Sequence, residues 1–333
     1  MTDRKDMMWS VLLHLSMNEW SDVQWDREEK DRDPANSYSI RKLRFEEPLY
    51  RDCIDRMVAG GLNTLILDIG DGMIMPSHPE IAAEGAWTQE KLREEIVRLE
   101  KLGIEVIPKL NFSTCHDVWM KEYHRMVSTP DYYAFCRDAI ADVIAAFPKP
   151  PRFFHLGYDE EVTHLQVLPR YIYACIRTGE LWWHDFLFFV REVERHGVRA
   201  WIWSDYIWKH EEEFLRRMPR SVMQSNWYYG RSWDVDRPDQ KWLAPVLPAF
   251  IKLAKAGFEQ VPTGSNWIPD YYKKGENNDS NFGNLVKWCR DNVDAASLKG
   301  FMNTPWCMTM EGGDRRKKLM DSIDQVAAEI RRA

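Results

Sequence analysis

The chain has 333 residues, of which 45 are Lys or Arg and 52 are Asp or Glu, so its formal net charge is −7. Hydrophobic residues make up 44% of the sequence, which is ample for a large core and excludes a wholly disordered chain. The mildly acidic balance argues against nucleic acid or an anionic membrane as the main partner. No apolar stretch approaches the roughly 20 residues of a membrane span. The start of the chain lacks the apolar segment of a secretory signal, which leaves a cytoplasmic location and export with a trimmed signal both open.

Cysteine and tryptophan usage narrow the class of protein further. The six cysteines are scattered without a C-x-x-C pair, which predicts neither a zinc site nor a disulfide framework. No G-x-G-x-x-G follows the first predicted strand and no G-x-x-x-x-G-K-S/T occurs, so we expect no nucleotide cofactor. The spacing of the potential ligands has no metal signature, so we expect no metal either. The 16 tryptophans suit either a bulky core or rings that stack on sugars, and composition leaves both open.

Short apolar runs of strand character alternate along the chain with longer segments of helical period. Near-continuous apolarity with β-branched residues is typical of strands that are covered on both faces. The predicted strands are Met8–Ser16, Leu62–Ile69, Glu105–Leu110, Phe153–Leu156, Ala200–Trp203, Val222–Ser225, Phe258–Val261 and Gly300–Asn303. The predicted helices are Pro48–Val58, Thr88–Leu102, Asp131–Phe147, Glu180–His196, Trp242–Ala256, Phe282–Leu298 and Asp314–Arg332.

This alternation predicts parallel strands that are joined by right-handed crossovers. Eight such units favour a closed (β/α)8 barrel, an α/β fold of the TIM-barrel type, over an open doubly wound sheet. The sequence has no low-complexity linker and no break in composition, so we expect residues 1–333 to form a single catalytic domain.

Reactive side chains lie directly after the predicted strands, where the active site of such a barrel forms. Asp71 follows strand 2, Asn111 and His116 follow strand 3, and Asp159 and Glu160 follow strand 4. Carboxylates, a histidine and tryptophans at one mouth suit an uncharged, polyhydroxylated ligand. The adjacent carboxylates of strand 4 could serve glycosidic cleavage, as a proton donor and a separate stabilising group, or could merely begin the next helix.

Several of these segments together carry a resemblance to a known family. His155-Leu-Gly-Tyr-Asp159-Glu160 resembles the H-x-G-G-D-E signature of the family 20 glycoside hydrolases, the β-N-acetylhexosaminidases. The segment from Gly103 to His116 is similar to that family's G-I-E-V-I-P-E-I-D-M-P-G-H, and the segment from Asn63 to Asp71 resembles its N-T-L-H-L-H-L-T-D. Ile202-Trp203-Ser-Asp205 and Gln224-Ser-Asn-Trp227 also fit the family's later strands, so the similarity runs through the barrel in order.

The resemblance implies a retaining exo-glycosidase that hydrolyses β-linked N-acetylhexosamine glycans, and therefore a carbohydrate as the partner. Glu160 would be the general acid/base, and Asp159 would orient the substrate's 2-acetamido group, whose carbonyl oxygen attacks the anomeric carbon. His116 would contact the catalytic glutamate, and Asp71 would orient that histidine. The implied substrate-binding aromatics are Trp203, Trp227 and Trp306, with Trp267, Tyr271 or Tyr272 after strand 7.

Three further polar residues are substrate-binding candidates because they lie at the same mouth. Asp205 could bind a sugar hydroxyl or cap the next helix. His155 lies within the strand and suits a structural hydrogen bond near the site. Asn111 begins the segment that carries the histidine.

The sequence departs from the family pattern at three places. The family's arginine at the end of strand 1, which grips sugar hydroxyls, is absent from Leu13-His14-Leu15-Ser16-Met17-Asn18-Glu19. The family's W-T-E after strand 8 reads Trp306-Cys307-Met308, without the glutamate. Tyr158 replaces the second glycine of the signature, which should add bulk close to the two carboxylates. The two missing groups face the non-reducing hydroxyls of the terminal sugar, so the resemblance implies an altered glycan preference.

Two other classes of protein remain open. A metal-dependent sugar isomerase or epimerase would need several ligands at one point, for which the candidates are His116, His155, Glu160 and Asp205, although their spacing has no metal signature. A non-catalytic carbohydrate-binding barrel is suggested by the two lost groups. The retained set of Asp71, His116, Asp159 and Glu160 speaks against it, because a buried carboxylate cluster is costly.

Overall fold

The computed structural model describes residues 7–19, 41–162, 175–268 and 276–332. Its eight-stranded sheet is parallel throughout, with the strand order β6-β5-β4-β3-β2-β1-β8-β7. The strands are β1 Met8–His14, β2 Thr64–Asp68, β3 Glu105–Lys109, β4 Phe153–His155, β5 Arg199–Trp203, β6 Met223–Ser225, β7 Thr263–Ser265 and β8 Gly300–Thr304.

The two ends of this sheet, β6 and β7, meet and close the barrel. Parallel bridges join Gln224 to Gln260 and Trp227 to Thr263. The N–H of Val261 donates to the carbonyl of Gln224 at 2.9 Å, and the N–H of Thr263 donates to the carbonyl of Asn226 at 3.0 Å. Parallel strands that close on themselves and are separated by helices define a (β/α)8 barrel, so the predicted TIM-barrel fold is confirmed.

Helices follow the strands and cover the outside of the sheet. Local sequence begins the third helix: Thr129 accepts a hydrogen bond from the N–H of Tyr132, and Pro130 occupies the first helical position. Among the described helices, none is both long and apolar enough to span a bilayer. The helices are α1 Glu47–Gly60, α2 Gln89–Lys101, α3 Pro130–Ala145, α4 Gly179–Glu194, α5 Glu211–Arg217, α6 Val246–Lys255, α7 Asn281–Asn292 and α8 Arg315–Arg332.

The seventh strand was predicted too early in the chain. The apolar run Phe258–Val261 begins the extended segment, and Gln260 already bridges to both neighbouring segments, at Gln224 and Leu298. Pro262 has no N–H to donate, so regular hydrogen bonding between the strands begins only after it, at Thr263–Ser265. Hydrophobicity identified the buried entry to this strand, whereas the strand proper consists of small polar residues.

Two predicted helices extend well beyond the observed ones, whereas the others differ by only one or two residues at an end. The sixth helix begins at Val246 rather than Trp242, because Pro245 has no N–H with which to continue a helical ladder from the residues before it. Trp242 lies instead in a short 3-10 helix, Lys241–Leu243. The seventh helix ends at Asn292 rather than Leu298, since Asp294 begins a separate turn in which its side chain accepts from the N–H of Ala296.

The barrel interior changes from apolar to polar at one end. Leu12, Ile66, Ile107 and Phe153 lie in a buried cluster inside the barrel. Side chains two residues further along a strand point the same way, and on these four strands those residues are polar: His14, Asp68, Lys109 and His155. All four are fully buried at the C-terminal ends of β1 to β4. The polar layer therefore forms the floor beneath the end of the barrel where the candidate residues lie.

Candidate active site

A histidine lies between two adjacent carboxylates at the ends of β3 and β4. The Nε2 atom of His116 is 3.5 Å from Oδ2 of Asp159 and 3.3 Å from Oε2 of Glu160. The side chains of Asp159 and His116 are almost buried, whereas the Glu160 side chain is 37% exposed. The structure thus brings three of the four predicted catalytic residues together, with the glutamate on the solvent side.

His116 and Asp159 each shift the pKa of the other toward its charged form. Burial alone would lower the pKa of His116, but the carboxylates of Asp159 and Glu160 raise it well above the usual value for histidine. Burial alone would raise the pKa of Asp159, but the charge of His116, with its hydrogen bond, lowers it. The pairing of His116 with Asp159 therefore favours the protonated form of the histidine and the ionised form of the aspartate.

This pairing predicts a pH-dependent contribution to stability. A raised pKa in the folded state means that the contribution of His116 is fully present below about pH 6.5 and is lost as the pH rises through the folded-state pKa. The wild-type protein should therefore have a larger free energy of unfolding than His116→Gln, and this difference should shrink as the pH rises above neutrality. Urea unfolding of both proteins across this range measures that difference. A difference that stays constant up to about pH 9 would show that the histidine is neutral in the folded protein.

The loop that carries the two carboxylates has an unusual backbone. Gly157, Tyr158 and Glu160 all have positive φ, at 65°, 70° and 55°. Asn111 holds this conformation: its Oδ1 accepts from the N–H groups of Tyr158 at 3.1 Å and Ser113 at 3.0 Å, and its Nδ2 donates to Asp159 at 2.9 Å. Asn111, predicted as a substrate-binding residue, therefore uses its side chain to organise the loop and Asp159.

Gly157 is the position where this loop leaves no room for a side chain. A Cβ atom there would lie 2.1 Å from Oδ1 of Asn111. We expect Gly157→Ala to destabilise the protein by about 3 kcal/mol, from the positive φ together with the clash. Gly197→Ala is the matched control, because Gly197 has a φ of 72° and a Cβ atom there would meet nothing within 4 Å; it should cost only about 1 kcal/mol. Equal losses in chemical denaturation would contradict this account of the loop.

Asp205 fixes the backbone of the general-acid candidate. Its Oδ2 accepts a hydrogen bond from the N–H of Glu160 at 2.9 Å. Burial, followed by the charges of Asp159 and Glu160, raises the pKa of Asp205 well above the usual value for aspartate. Asp205 is the first residue of the 3-10 helix Asp205–Trp208, and Ser204 occupies the N-cap position. Its carboxylate thus orients the backbone of Glu160, and binding of a sugar hydroxyl stays a prediction.

A buried ion-pair network supports the loop from behind. The guanidinium of Arg177 contacts both oxygens of Glu161, donates to Asp185 at 3.1 Å and donates to the carbonyl of Phe112 at 2.6 Å. The ring of Tyr158 lies under this guanidinium, 4.6 Å away, and its hydroxyl donates to the carbonyl of Trp182 at 3.1 Å. Tyr158 was expected to add bulk beside the carboxylates, but its ring is directed into the layer between the barrel and α4.

Asp71 belongs to a different set of contacts from the one implied by the resemblance. It is fully buried and accepts hydrogen bonds from Ser16, Asn18 and Lys121. His116, in turn, faces Asp159 and Glu160. Within the described part of the chain, the expected alignment of His116 by Asp71 is therefore not formed as a direct contact.

Aromatic side chains form one wall of the site. The rings of Trp203 and Trp306 are 5.8 Å apart, and the indole N–H of Trp306 donates to the hydroxyl of Tyr229 at 3.0 Å. Tyr229 stacks on Trp227 at 4.9 Å and meets Trp267 edge-on at 6.3 Å. The structure thus gathers the four predicted tryptophans in one wall, in which three of them contact Tyr229 and Trp203 contacts Trp306. Tyr271 and Tyr272, the alternatives after strand 7, lie outside the described residues.

His155 lies beneath the loop rather than facing it as an acid or base. Its Nδ1 accepts from the N–H of Gly157 at 3.0 Å, and its ring packs 4.5 Å from Trp203. Burial and the nearby charge of Lys109 lower its pKa well below the usual value for histidine. This neutral, buried ring matches the structural role that the sequence suggested.

A buried charge cluster stands where the family has its strand 1 arginine. His14 Nδ1 is 3.2 Å from Oδ2 of Asp68, the ammonium of Lys109 contacts the same carboxylate, and Glu19 lies 3.9 Å from both His14 and Lys109. Sequence reasoning missed Lys109 and Glu19. The signal was present, since a lysine at the last position of an otherwise apolar strand requires a buried counter-charge.

Among the described residues, two groups have potential metal-ligating atoms that all lie within 4.8 Å of one another. One group is His14, Glu19 and Asp68, and the other is His116, Asp159 and Glu160. In the first group the ammonium of Lys109 already supplies a cation to both carboxylates. In the second, a histidine with a raised pKa is a poor ligand, because metals bind neutral imidazole. The set nominated for an isomerase is not assembled, since His155 and Asp205 are engaged by the backbone N–H groups of Gly157 and Glu160.

A buried asparagine outside the predicted set is part of the site's framework. The Nδ2 atom of Asn278 lies within hydrogen-bond distance, 3.0 to 3.2 Å, of the carbonyl oxygens of Tyr229, Ser265 and Trp267. It therefore ties together the loops after β6 and β7 that carry the aromatic wall. Local composition could not reveal this, because the partners are distant in sequence.

Comparisons with known proteins agree with this fold. The sequence matches no protein-family model and no curated protein. Solved structures do match: a β-N-acetylhexosaminidase from Bacteroides fragilis has a TM-score of 0.61 and 14% identity over 96% of this chain and 65% of its own. A mutant Streptomyces plicatus β-hexosaminidase in complex with the product GlcNAc has a TM-score of 0.60 and 14% identity, over 96% of this chain and 64% of its own.

A third neighbour is the family 20 β-N-acetylhexosaminidase from Streptomyces coelicolor, with a TM-score of 0.57, 15% identity, and coverage of 95% of this chain and 64% of its own. The chain thus spans just under two thirds of the length of these proteins. At this identity the likeness establishes the fold: this is a barrel of the type found in family 20 glycoside hydrolases. The resemblance noted in the sequence is confirmed at that level.

Proposed function

We propose that this protein is a glycoside hydrolase that removes β-linked N-acetylhexosamine from a glycan by substrate-assisted catalysis. The observation that carries the proposal is the position of His116, between the adjacent carboxylates of Asp159 and Glu160 at the C-terminal ends of the strands. We further propose that the whole chain acts as one catalytic domain. The names of its structural neighbours agree with this reaction but describe those proteins.

In this proposal Glu160 acts first as general acid and then as general base. Its side chain is the exposed member of the trio, where a leaving oxygen and later a water molecule can reach it. Asp205 holds its backbone N–H, and His116 contacts its carboxylate. The glutamate gives its proton to the leaving oxygen as the glycosidic bond breaks, and then takes a proton from the attacking water.

Asp159 has the complementary task. A substrate's acetamido carbonyl oxygen would attack the anomeric carbon, which develops positive charge on the acetamido group as a cyclic intermediate forms. A buried carboxylate with a lowered pKa is suited to stabilise that charge and to accept the acetamido N–H. Asn111 and His116 fix the two oxygens of Asp159 in position for this task. The wall formed by Trp203, Trp227, Tyr229 and Trp306 would pack on the sugar and its acetamido methyl group.

We expect this protein to recognise the terminal sugar through other groups than the family 20 glycoside hydrolases do. The strand 1 arginine is replaced by His14 and the buried cluster around Lys109, which is engaged with Asp68 and Glu19. No glutamate follows Trp306 within the next four residues of the sequence. We therefore propose that the hydroxyls far from the scissile bond are bound by other groups, and that the preferred terminal sugar differs from that of the common chitobiose-type substrates.

The stereochemistry of the product tests this function. Substrate assistance uses two displacements, so the first sugar released should be the β-anomer, which proton NMR detects before mutarotation. Release of the α-anomer would show a single displacement by water and would contradict the role given to Asp159.

A further inference from the structure

A row of aromatic side chains continues from the wall of the site toward the protein surface. We call Trp306, Tyr229, Trp227, Trp208 and Trp242 the aromatic track. The ring of Trp208 lies 4.5 Å from that of Trp227, and the ring of Trp242 lies 6.5 Å from that of Trp208. With the Trp306–Tyr229 hydrogen bond and the Tyr229–Trp227 stack, the track is continuous from Trp306 to Trp242.

Exposure rises along the outer part of this track, from Trp227 to Trp242. Trp227 is 8% exposed, Trp208 is partly buried, and Trp242 is 51% exposed. In contrast, Trp119, Trp182, Trp183 and Trp201 are fully buried in the cores. Core packing therefore accounts for those tryptophans but does not account for Trp242, about half of whose surface is exposed to solvent.

The outer part of the track is held in a defined orientation. The indole N–H of Trp208 donates to Oδ1 of Asn226 at 2.8 Å, and the amide of Asn226 donates to the carbonyl of Val246 at 2.8 Å. Trp208 also ends the same 3-10 helix that begins at Asp205, whose carboxylate binds the N–H of Glu160. The outer rings are thus attached to the element that orients the proton donor.

From this geometry we propose that Trp208 and Trp242 form a second sugar-binding subsite, which takes the pyranose rings on the leaving-group side of the scissile bond. The proposal rests on the function proposed above, because an exo-acting glycosidase holds the terminal sugar at the carboxylates and only the rest of the glycan can extend outward. Pyranose rings present C–H faces that pack on indole, and continuity with the aromatic wall favours this occupant over a protein partner. The substrate is therefore an oligosaccharide rather than a short glycoside.

Binding of ligands of different length tests this subsite. The affinities of N-acetylglucosamine and of its β-1,4-linked tetrasaccharide are measured by calorimetry on Glu160→Gln, which prevents turnover. We expect the tetrasaccharide to bind at least about tenfold more tightly than the monosaccharide. Adding Trp242→Ala or Trp208→Ala should lower this ratio about fivefold to tenfold, as expected for the loss of one aromatic stack.

Two further variants serve as controls. Trp242→Phe keeps an aromatic face and should retain most of the ratio. Leu181→Ala removes an apolar side chain on α4 that is 43% exposed and lies outside the track, so it should leave the ratio unchanged.

The outcomes separate this inference from the proposed function. The subsite would be overturned if Glu160→Gln bound the tetrasaccharide and the monosaccharide equally well. It would also be overturned if neither tryptophan substitution changed the ratio of the two affinities, as expected if the track binds a protein partner. If the subsite were overturned in either way but the wild-type protein still hydrolysed a short aryl glycoside, the proposed function would stand. A track-dependent ratio without any hydrolysis by the wild-type protein would support the subsite and overturn the function.

Discussion

Glu160→Gln should lower turnover by about 10²- to 10⁴-fold on a glycan substrate, because the leaving oxygen then receives no proton. The loss should be much smaller on a nitrophenyl glycoside, since nitrophenolate leaves without protonation. The measurement is kcat for both substrates with the variant and the wild-type protein. This dependence on the leaving group distinguishes loss of an acid from general damage to the site.

The matched control for this substitution is Glu90→Gln, at a glutamate on α2 whose side chain is 72% exposed. It makes the same chemical change away from the site and should leave turnover unchanged. Full activity of Glu160→Gln on the glycan would mean that another group protonates the leaving oxygen.

Asp159→Asn should lower turnover by about 10²- to 10³-fold on both classes of substrate, because it removes a buried charge that stabilises the reacting acetamido group. Unlike the Glu160 variant, it should also weaken a thiazoline inhibitor, which resembles the cyclic intermediate. The two measurements are kcat on the nitrophenyl glycoside and the inhibition constant of the thiazoline.

Folding must be checked for this variant, because Asp159 is bound by Asn111 and His116. A thermal melt and the affinity for N-acetylglucosamine show whether the barrel and the aromatic wall are intact. Asp291→Asn, at a carboxylate on α7 that is 55% exposed, is the matched control. An Asp159→Asn protein that folds and is inhibited by thiazoline as strongly as the wild type would exclude the proposed role.

The sequence was sufficient for the barrel and for the ends of most of its strands. Buried parallel strands are continuous apolar runs, and the glycines between helix and strand mark the turns, so both signals are local. Strand 7 was the exception, because its regular part, Thr263–Ser265, is polar and small and follows a proline. Its assignment depends on pairing with β8 and with Trp227, and such pairing is not encoded in local hydrophobicity.

The candidate site was predictable as a set of residues but not as a set of contacts. His116, Asp159 and Glu160 were brought together by the barrel topology, which places strand ends side by side. The contacts of Asp71, by contrast, depend on Ser16, Asn18 and Lys121, of which none belongs to the motif that contains it.

Backbone conformation also could not be derived from the motif. Tyr158 at a glycine position suggested crowding, but a φ of 70° turns its ring away from the carboxylates and under Arg177. The direction of a side chain after a positive φ depends on the tertiary contacts that hold the loop. Here those contacts come from Asn111 and from the buried guanidinium.

The most direct test of the central claim is the rate of nitrophenol release from four glycosides, β-GlcNAc, β-GalNAc, β-glucoside and β-galactoside, each with and without a thiazoline inhibitor. The account predicts release from one or both of the 2-acetamido sugars, no release from the two sugars that lack this group, and inhibition by the thiazoline. Release from the β-glucoside or β-galactoside at a comparable rate, unaffected by the thiazoline, would contradict it, because those sugars carry no acetamido group to act as the nucleophile.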